Sequence, residues 1–350
     1  MSKVKVGVIG LGIGKSHIEG YLQHPQAVVA ALCDANETRL HETAAKYGIK
    51  KTYTDAEKMQ EECKLDAVSV CLPNALHAPF TIAAFKHGLH VLCEKPMAMT
   101  VAECEQMLAA ARKSKKNLMI NFSFRFSPMS FALKQQVDAG VIGDIYFGRT
   151  VWHRRFGFPT FGSWFGQQAL SGGGPLIDLG VHRLDLALWL MGYPEPTVVL
   201  GSTFNHLAQA EKLKQQKPFD VEDLACGLIK FANGATLVLE ASWASHTNEQ
   251  EHMVTKLYGT KGGLLQANLN GTYQFKAELY SEEGGHFFTK TLDASCTPVP
   301  SAPYEFIDSI LEKRPPLATG EQALKVQKIL EGIYRSAETG REVVYASTSA

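Results

Sequence analysis

Three features of the 350-residue sequence predict an α/β amino-terminal domain on a doubly wound parallel sheet, followed by an α+β domain on a large, mainly antiparallel sheet. Short β-branched runs alternate with helix-period segments through residue 123; strands with hairpin-like turns then take over; and a glycine-rich turn separates the first strand from the first helix. The strands of the first part fall at 4–9, 28–33, 51–53, 67–71, 90–93 and 118–122, with helices at 17–23, 37–47, 55–62, 75–87 and 101–113 between them. Six strands complete a doubly wound domain, which takes its ligands at the carboxyl ends of its strands. The second part, 124–350, reads as a helix at 129–139, a strand at 144–154, an apolar helix at 176–190 and strands at 223–231, 235–244 and 252–258. Ala232-Asn233-Gly234 is the turn between the strands at 223–231 and 235–244. Helices at 304–313 and 321–336 close the chain and are free to pack back on the first domain; Gly340 stops the second, and 346–350 reads as a frayed tail.

Composition narrows the function. Lys+Arg and Asp+Glu balance at 35 each and 45% of residues are hydrophobic, which excludes a disordered chain and leaves no surplus charge for nucleic acid or an anionic membrane. The densest basic run, Arg112-Lys113-Ser114-Lys115-Lys116, reads as the solvated end of a helix. Seven cysteines, Cys296 among them, make no C-x-x-C pair, and Cys33, Cys71 and Cys93 sit in apolar strand-like runs as small buried hydrophobes. No run approaches the roughly 18 apolar residues of a membrane helix, and the glycines near the start argue against a signal peptide. The expectation is a cytoplasmic enzyme.

Gly10-Leu11-Gly12-Ile13-Gly14-Lys15 supplies the tight turn and bare backbone that a pyrophosphate needs at a helix N-terminus, one residue shorter than G-x-G-x-x-G. Asp34 ends the second strand, where a carboxylate accepts hydrogen bonds from an adenosine ribose and repels a 2′-phosphate. NAD is therefore favoured over NADP, with Arg39 softening that preference; the alternative role for Asp34 is to cap the helix at 37–47. Leu72-Pro73-Asn74 puts Asn74 at another strand end, either as a helix cap or as a cofactor contact. Glu94-Lys95-Pro96 closes the fifth strand, and the proline, cis or trans, fixes where the Lys95 ammonium points.

The segment Gly172-Gly173-Gly174-Pro175 to Leu190 carries the chemistry. On one helix Asp178, His182 and Asp185 share a stripe of an otherwise apolar surface, and such a stripe must face a pocket or a polar network. Oxidising a secondary alcohol needs a base for the hydroxyl proton and a cation for the developing alkoxide: His182 suits the first role, Lys95 the second, and Asp178 orients the imidazole or holds a neighbouring hydroxyl. A metal held by Asp178, His182 and His153 has suitable ligand types but no diagnostic spacing, and no metal is expected. Arg154 and Arg155 are the expected substrate contacts, and Trp164 offers a ring face of the kind that either stacks on sugars or packs in a core.

Together these motifs resemble the glucose–fructose oxidoreductase / inositol dehydrogenase / MocA (Gfo/Idh/MocA) family of NAD(P)-dependent oxidoreductases. The likeness also takes in Pro73-Asn74-x-x-His77, Phe124-Arg125-Phe126-Ser127-Pro128 and Gly320-Glu321-Gln322-Ala323, and so spans nearly the whole chain. It implies a Rossmann domain and a second domain whose open sheet often joins subunits as homodimers or homotetramers. Lys95, Asp178 and His182 match the family's catalytic lysine, aspartate and histidine. By the same resemblance Ile13, Pro73, His77 and Glu94 join the cofactor side and Arg125 the substrate side. The reading is an NAD-dependent oxidoreductase acting on a secondary hydroxyl or ketone of a sugar, inositol or derivative. Alternatives are a glycosidase that cycles a held NAD through oxidation, elimination and re-reduction, and a non-catalytic nucleotide or sugar sensor.

Overall fold

A computed structural model describes residues 3–293, 295 and 299–346. Cys296 and most of the expected tail (347–350) lie outside the described residues. The chain forms two compact units: Met1–Phe122 with Pro300–Leu324, and Ser123–Val299 with Lys325–Ala350.

The first unit alternates strand and helix: β1 (Val4–Ile9), α1 (Gly14–Leu22), β2 (Ala27–Cys33), α2 (Glu37–Tyr47), β3 (Thr52–Tyr53), α3 (Ala56–Glu62), β4 (Ala67–Val70), α4 (His77–Lys86), β5 (His90–Glu94), α5 (Val101–Ser114) and β6 (Leu118–Asn121). All six strands are parallel in the order β3-β2-β1-β4-β5-β6. Chain order reverses beside β1, and that switch point is where such sheets bind ligands. Val6, Val8, Val68, Val70, Val91 and Leu92 are fully buried, as strands covered on both faces require. Local signals end the helices: Asn36 caps α2, Gly48 stops it at φ +69°, and Thr100 with Glu103 forms a capping box on α5. A later helix, Ala302–Leu311, rejoins this unit, where a Cβ on Gly20 would stand 2.8 Å from Pro303 and His24 Nε2 lies 3.0 Å from Asp308.

In the second unit, α6 (Pro128–Asp138) and β7 (Ile145–Arg154) lead to a short helix, α7 (Gln168–Ser171), and then to a π-helical turn at Leu176–Gly180 that runs into α8 (Val181–Leu190). The sequence reads 176–190 as one α-helix; Pro175 and Gly180 bracket the departure. There follow β8 (Pro196–Phe204), α9 (His206–Gln215), β9 (Leu224–Phe231), β10 (Thr236–Ser242), β11 (Glu251–Gly259), β12 (Gly262–Asn268), β13 (Phe275–Glu283) and β14 (His286–Thr291). The chain closes through α10, the helix Ala302–Leu311 described above, α11 (Gly320–Thr339) and β15 (Val343–Val344). The nine-stranded sheet runs β14-β13-β12-β11-β7-β10-β9-β8-β15, antiparallel except where β10 meets β7. One face carries α8 and an aromatic core of Trp152, Phe161, Phe219 and Trp243. Among the described residues no helix is long and apolar enough to cross a membrane.

Candidate active site

In the first unit the site begins at the turn after β1. Gly10 has φ +87°, and a Cβ there would stand 2.2 Å from the Cys71 carbonyl oxygen, so only glycine lets the turn close against the end of β4. Gly12 is the opposite case: a Cβ there meets nothing within 4 Å. Open backbone at Gly12 and the start of α1 at Gly14, with Ile13 offering no side-chain cap, leave helix N–H groups available to an anion. This cradle fits a dinucleotide pyrophosphate.

Asp34 lies beside it at the end of β2. Its carboxylate accepts from the Leu11 and Asn36 backbone N–H groups at 2.8 Å each and from the Arg39 guanidinium through two bonds of 2.8 Å. Burial opposes its charge, yet Arg39 and the two N–H groups outweigh burial and hold it below the usual carboxylate range. Of its two sequence readings, the helix cap belongs to Asn36, which accepts from Arg39 N at 2.9 Å. Pro73 starts a 3-10 turn, Asn74–Leu76, that holds Asn74 buried at the end of β4.

Two residues expected on the cofactor side face inward. His77 is fully buried, with its ring nitrogens 2.7 Å from the Pro96 carbonyl and 2.8 Å from that of Leu72, so it ties two strand-end loops together. Burial pushes its pKa down. Glu94 is buried as well: His17 Nε2 lies 2.8 Å and Asn121 Nδ2 2.6 Å from Oε1, and the Lys95 N–H donates to Oε2 at 3.2 Å. Burial would raise its pKa; the His17 contact, Asn121 and the Lys95 charge reverse that and leave it at about 2. Lys95 itself is half-buried and enters a cis bond to Pro96.

In the second unit the π turn and α8 carry Asp178 and His182, both half-buried. Trp243 Nε1, fully buried, donates to Asp178 Oδ2 at 3.0 Å and fixes the carboxylate. The His182 ring lies 5.1 Å from that of Phe124 and 5.9 Å from that of Trp152. The turn is held from its start by Glu222, which accepts from Gly174 N at 2.8 Å, Leu176 N at 3.1 Å and the Tyr334 hydroxyl at 2.8 Å. Alternation along β7 puts Trp152 and Arg154 on one face. Glu251 joins them, accepting from Trp152 Nε1 at 2.6 Å and Arg154 Nε at 2.9 Å. Burial disfavours the Arg154 cation, but Glu251 leads the groups that raise its pKa, and Asp178 is among them.

The expected stripe of Asp178, His182 and Asp185 divides. Asp185 is turned into the core, where it accepts from Arg125 Nε at 2.8 Å and from Arg125 Nη2 at 2.6 Å, with the Tyr193 hydroxyl against both partners. Arg125 is 1% exposed, and its Nε and one terminal guanidinium nitrogen go to Asp185. His153 points to the opposite face of the sheet, 3.6 Å from Glu240, away from the face that holds Trp152 and His182. Arg155 is exposed, and the Trp164 ring stacks on Phe165 at 3.8 Å. Among the described residues no group of three or more His, Cys, Asp or Glu is placed to hold a metal ion.

Sequence reasoning missed Glu222, Tyr334, Trp243 and Glu251. Each acts across tens of residues on a neighbour that no local motif announces; the one sequence signal is the acidic pair Glu222-Asp223 at the head of an apolar strand.

Comparison with known proteins decides the family. Residues 4–122 match the Gfo/Idh/MocA family model described as an oxidoreductase family with an NAD-binding Rossmann fold, and residues 131–265 match the family's C-terminal domain. The D-glucoside 3-dehydrogenase of Escherichia coli is 34% identical over 98% of this chain and 97% of its own. The chain belongs to the Gfo/Idh/MocA oxidoreductase family. Another member, the myo-inositol 2-dehydrogenase of Thermotoga maritima, is 27% identical over 97% of this chain and 98% of its own. The crystal structure of the aldose-aldose oxidoreductase of Caulobacter crescentus, complexed with glycerol, superposes with a TM-score of 0.83 at 28% identity, covering 98% of this chain and 100% of that one. Family membership makes the chain an NAD-binding oxidoreductase, and the cradle at Gly12 with Asp34 beside it is built as that cofactor requires.

Proposed function

We propose that this chain is an NAD-dependent dehydrogenase that interconverts a secondary hydroxyl and a ketone on a sugar, inositol or related derivative. The observation that carries the reading is the 34% identity with the D-glucoside 3-dehydrogenase over nearly the full length of both chains. Asp178 on the π turn, His182 on α8 beside aromatic rings, and Lys95 after β5 supply the groups that this chemistry needs.

The nicotinamide, when bound, supplies the hydride acceptor or donor. Lys95 stabilises negative charge on the reacting oxygen, and His182 exchanges the hydroxyl proton. Asp178, fixed by Trp243, orients a substrate hydroxyl or the imidazole. Arg154 adds donors, the Trp152 and Phe124 rings offer an apolar face to sugar C–H groups, and Trp164 and Arg155 extend the same recognition. Asp34, already meeting the Arg39 guanidinium, takes the adenosine ribose hydroxyls and favours NAD over NADP.

The enzyme is cytoplasmic and a homodimer or homotetramer. Cys33, Cys63, Cys71 and Cys93 are buried thiols outside any disulfide, in keeping with a reducing compartment. On the sheet face opposite Trp152, the row Arg149, Val238, Leu228 and Leu200 leaves Leu228 and Leu200 exposed, an apolar surface suited to a second copy. The test is the absorbance of reduced nicotinamide with NAD and a panel of glucosides, free aldoses, inositols and sugar acids. Growth with at least one polyol is expected. Aglycone release from a glycoside without net NADH would overturn the dehydrogenase reading.

A further inference from the structure

We propose that His17, Glu94 and Asn121 form a buried positioning unit that sets the Lys95 backbone from behind and ties it to the helix that opens at the glycine turn. The inference rests on the reading of Lys95 given above. His17 stands one turn into α1 and is 1% exposed. It reaches Glu94 at the end of β5 (2.8 Å) and Ser69 of β4 (Nδ1 to Oγ, 3.0 Å), and Ser69 Oγ meets the Tyr21 hydroxyl at 2.7 Å. Asn121 at the end of β6 grips the same Glu94 oxygen at 2.6 Å. The other carboxylate oxygen accepts the Lys95 N–H.

An ionised Glu94 only accepts, so His17 presents an N–H at Nε2 to it, while Nδ1 meets the Ser69 hydroxyl and that hydroxyl meets Tyr21. These buried contacts engage both ring nitrogens and both hydroxyls where water competes poorly, and they hold the carboxylate in one orientation. Packing alone does not explain this arrangement, because a buried carboxylate carries a desolvation cost that an apolar residue at Glu94 would avoid. What the carboxylate adds is a fixed acceptor for the Lys95 peptide, anchored to three strand ends and to the helix whose N-terminus forms the dinucleotide cradle. A lysine on a four-carbon stem gains most from a fixed root, and a misplacement of about 1 Å at a reacting group costs roughly a hundredfold in rate. His17, Glu94 and Asn121 are thus positioning residues that act through Lys95.

The experiment compares Glu94→Gln, His17→Leu and His17→Gln with the native enzyme for turnover, for NAD affinity by protein fluorescence and for thermal midpoint. Glu94→Gln and His17→Leu should lower kcat by about ten- to a hundredfold while NAD affinity stays within about threefold. His17→Gln keeps a donor at similar reach and should recover most of the lost turnover. Equal losses in kcat and NAD affinity, or a native kcat in Glu94→Gln, would overturn the proposal. Should His17→Leu fail to fold, the near-isosteric Glu94→Gln decides alone. Lys95→Ala, run alongside, separates the two failures: an active Lys95→Ala removes the reading of Lys95 itself, whereas an inactive Lys95→Ala beside a native-like Glu94→Gln removes only the positioning unit.

Discussion

Replacing Asp185 by leucine tests whether Arg125 belongs to the core. The guanidinium is 1% exposed, makes two N–H···O bonds of 2.8 and 2.6 Å to Asp185 and touches the Tyr193 hydroxyl, so Asp185→Leu strands a cation with no water to receive it. Removing one partner of a buried pair costs about 3–5 kcal/mol. For a unit of this size, each kcal/mol lowers the melting temperature by roughly 2–4 °C, which predicts a fall on the order of 10 °C. Replacing both partners, Arg125→Met with Asp185→Leu, removes the stranded charge as well as the bonds and should restore most of the loss, a coupling of at least about 2 kcal/mol. Urea unfolding followed by circular dichroism and by tryptophan fluorescence measures all four corners of the cycle. A loss below about 1 kcal/mol in Asp185→Leu would refute the reasoning. So would an Arg125→Met variant of native stability with a raised KM for substrate, since that would return Arg125 to the substrate side.

Further expectations concern the other buried groups and the cofactor cradle. Gly12→Ala should keep the native melting temperature and weaken NAD binding by at least about tenfold, since its Cβ enters open space above the turn; Gly10→Ala, with φ +87° and a 2.2 Å approach to a carbonyl, should unfold the unit before affinity can be compared. Glu94 at about 2, against an ordinary 4.5, binds fewer protons folded than unfolded. Its contribution, about 3 kcal/mol, is therefore complete above pH 4.5 and lost as pH falls toward 2. Denaturant unfolding across that window should show a steeper acid loss in the native protein than in Glu94→Gln. Asp34→Ser frees Arg39 from its bidentate pair and should shift the NADP-to-NAD ratio of kcat/KM upward by about tenfold or more, read from initial rates with each cofactor. Arg183 is buried against Thr255 and Gln266, and burial alone pushes its pKa down to about 9. With no carboxylate bonded to it among the described residues, Arg183→Met should change stability by less than about 1 kcal/mol, in contrast to Asp185→Leu.

The first unit was legible because its signals are local. Six apolar runs, a glycine turn and the caps at Asn36 and Thr100 act within a few residues, and the parallel order follows once crossovers are required. The edge strand β3 is reduced to Thr52–Tyr53, because one neighbour and two lysines before it give little to pair. In the second unit β8, β12, β13, β14 and α9 went unread; β14 is exposed along its whole length and β12 buries most of its residues, so neither shows the alternation that marks a half-buried strand. The same distinction governs the site. Gly10 in its turn, Asp34 and Lys95 at strand ends, Asp178 on the π turn and His182 on α8 all stand in local motifs. Arg125, His77, Glu94 and Asp185 each have buried partners that the sequence did not announce, because a polar side chain in a motif looks alike whether it faces substrate or another part of the chain. Asp185 shows the mechanism most plainly: helical spacing put it with His182, and a guanidinium 60 residues earlier drew it into the core.

The most direct test of the account is the rate of NADH formation, with a sugar or cyclitol that the native enzyme oxidises, by Lys95→Ala and His182→Ala variants shown beforehand to bind NAD as the native protein does. The account predicts that each loses at least about a thousandfold in kcat, through loss of charge stabilisation at the reacting oxygen or of proton exchange. Native-like NADH formation in both variants would contradict it.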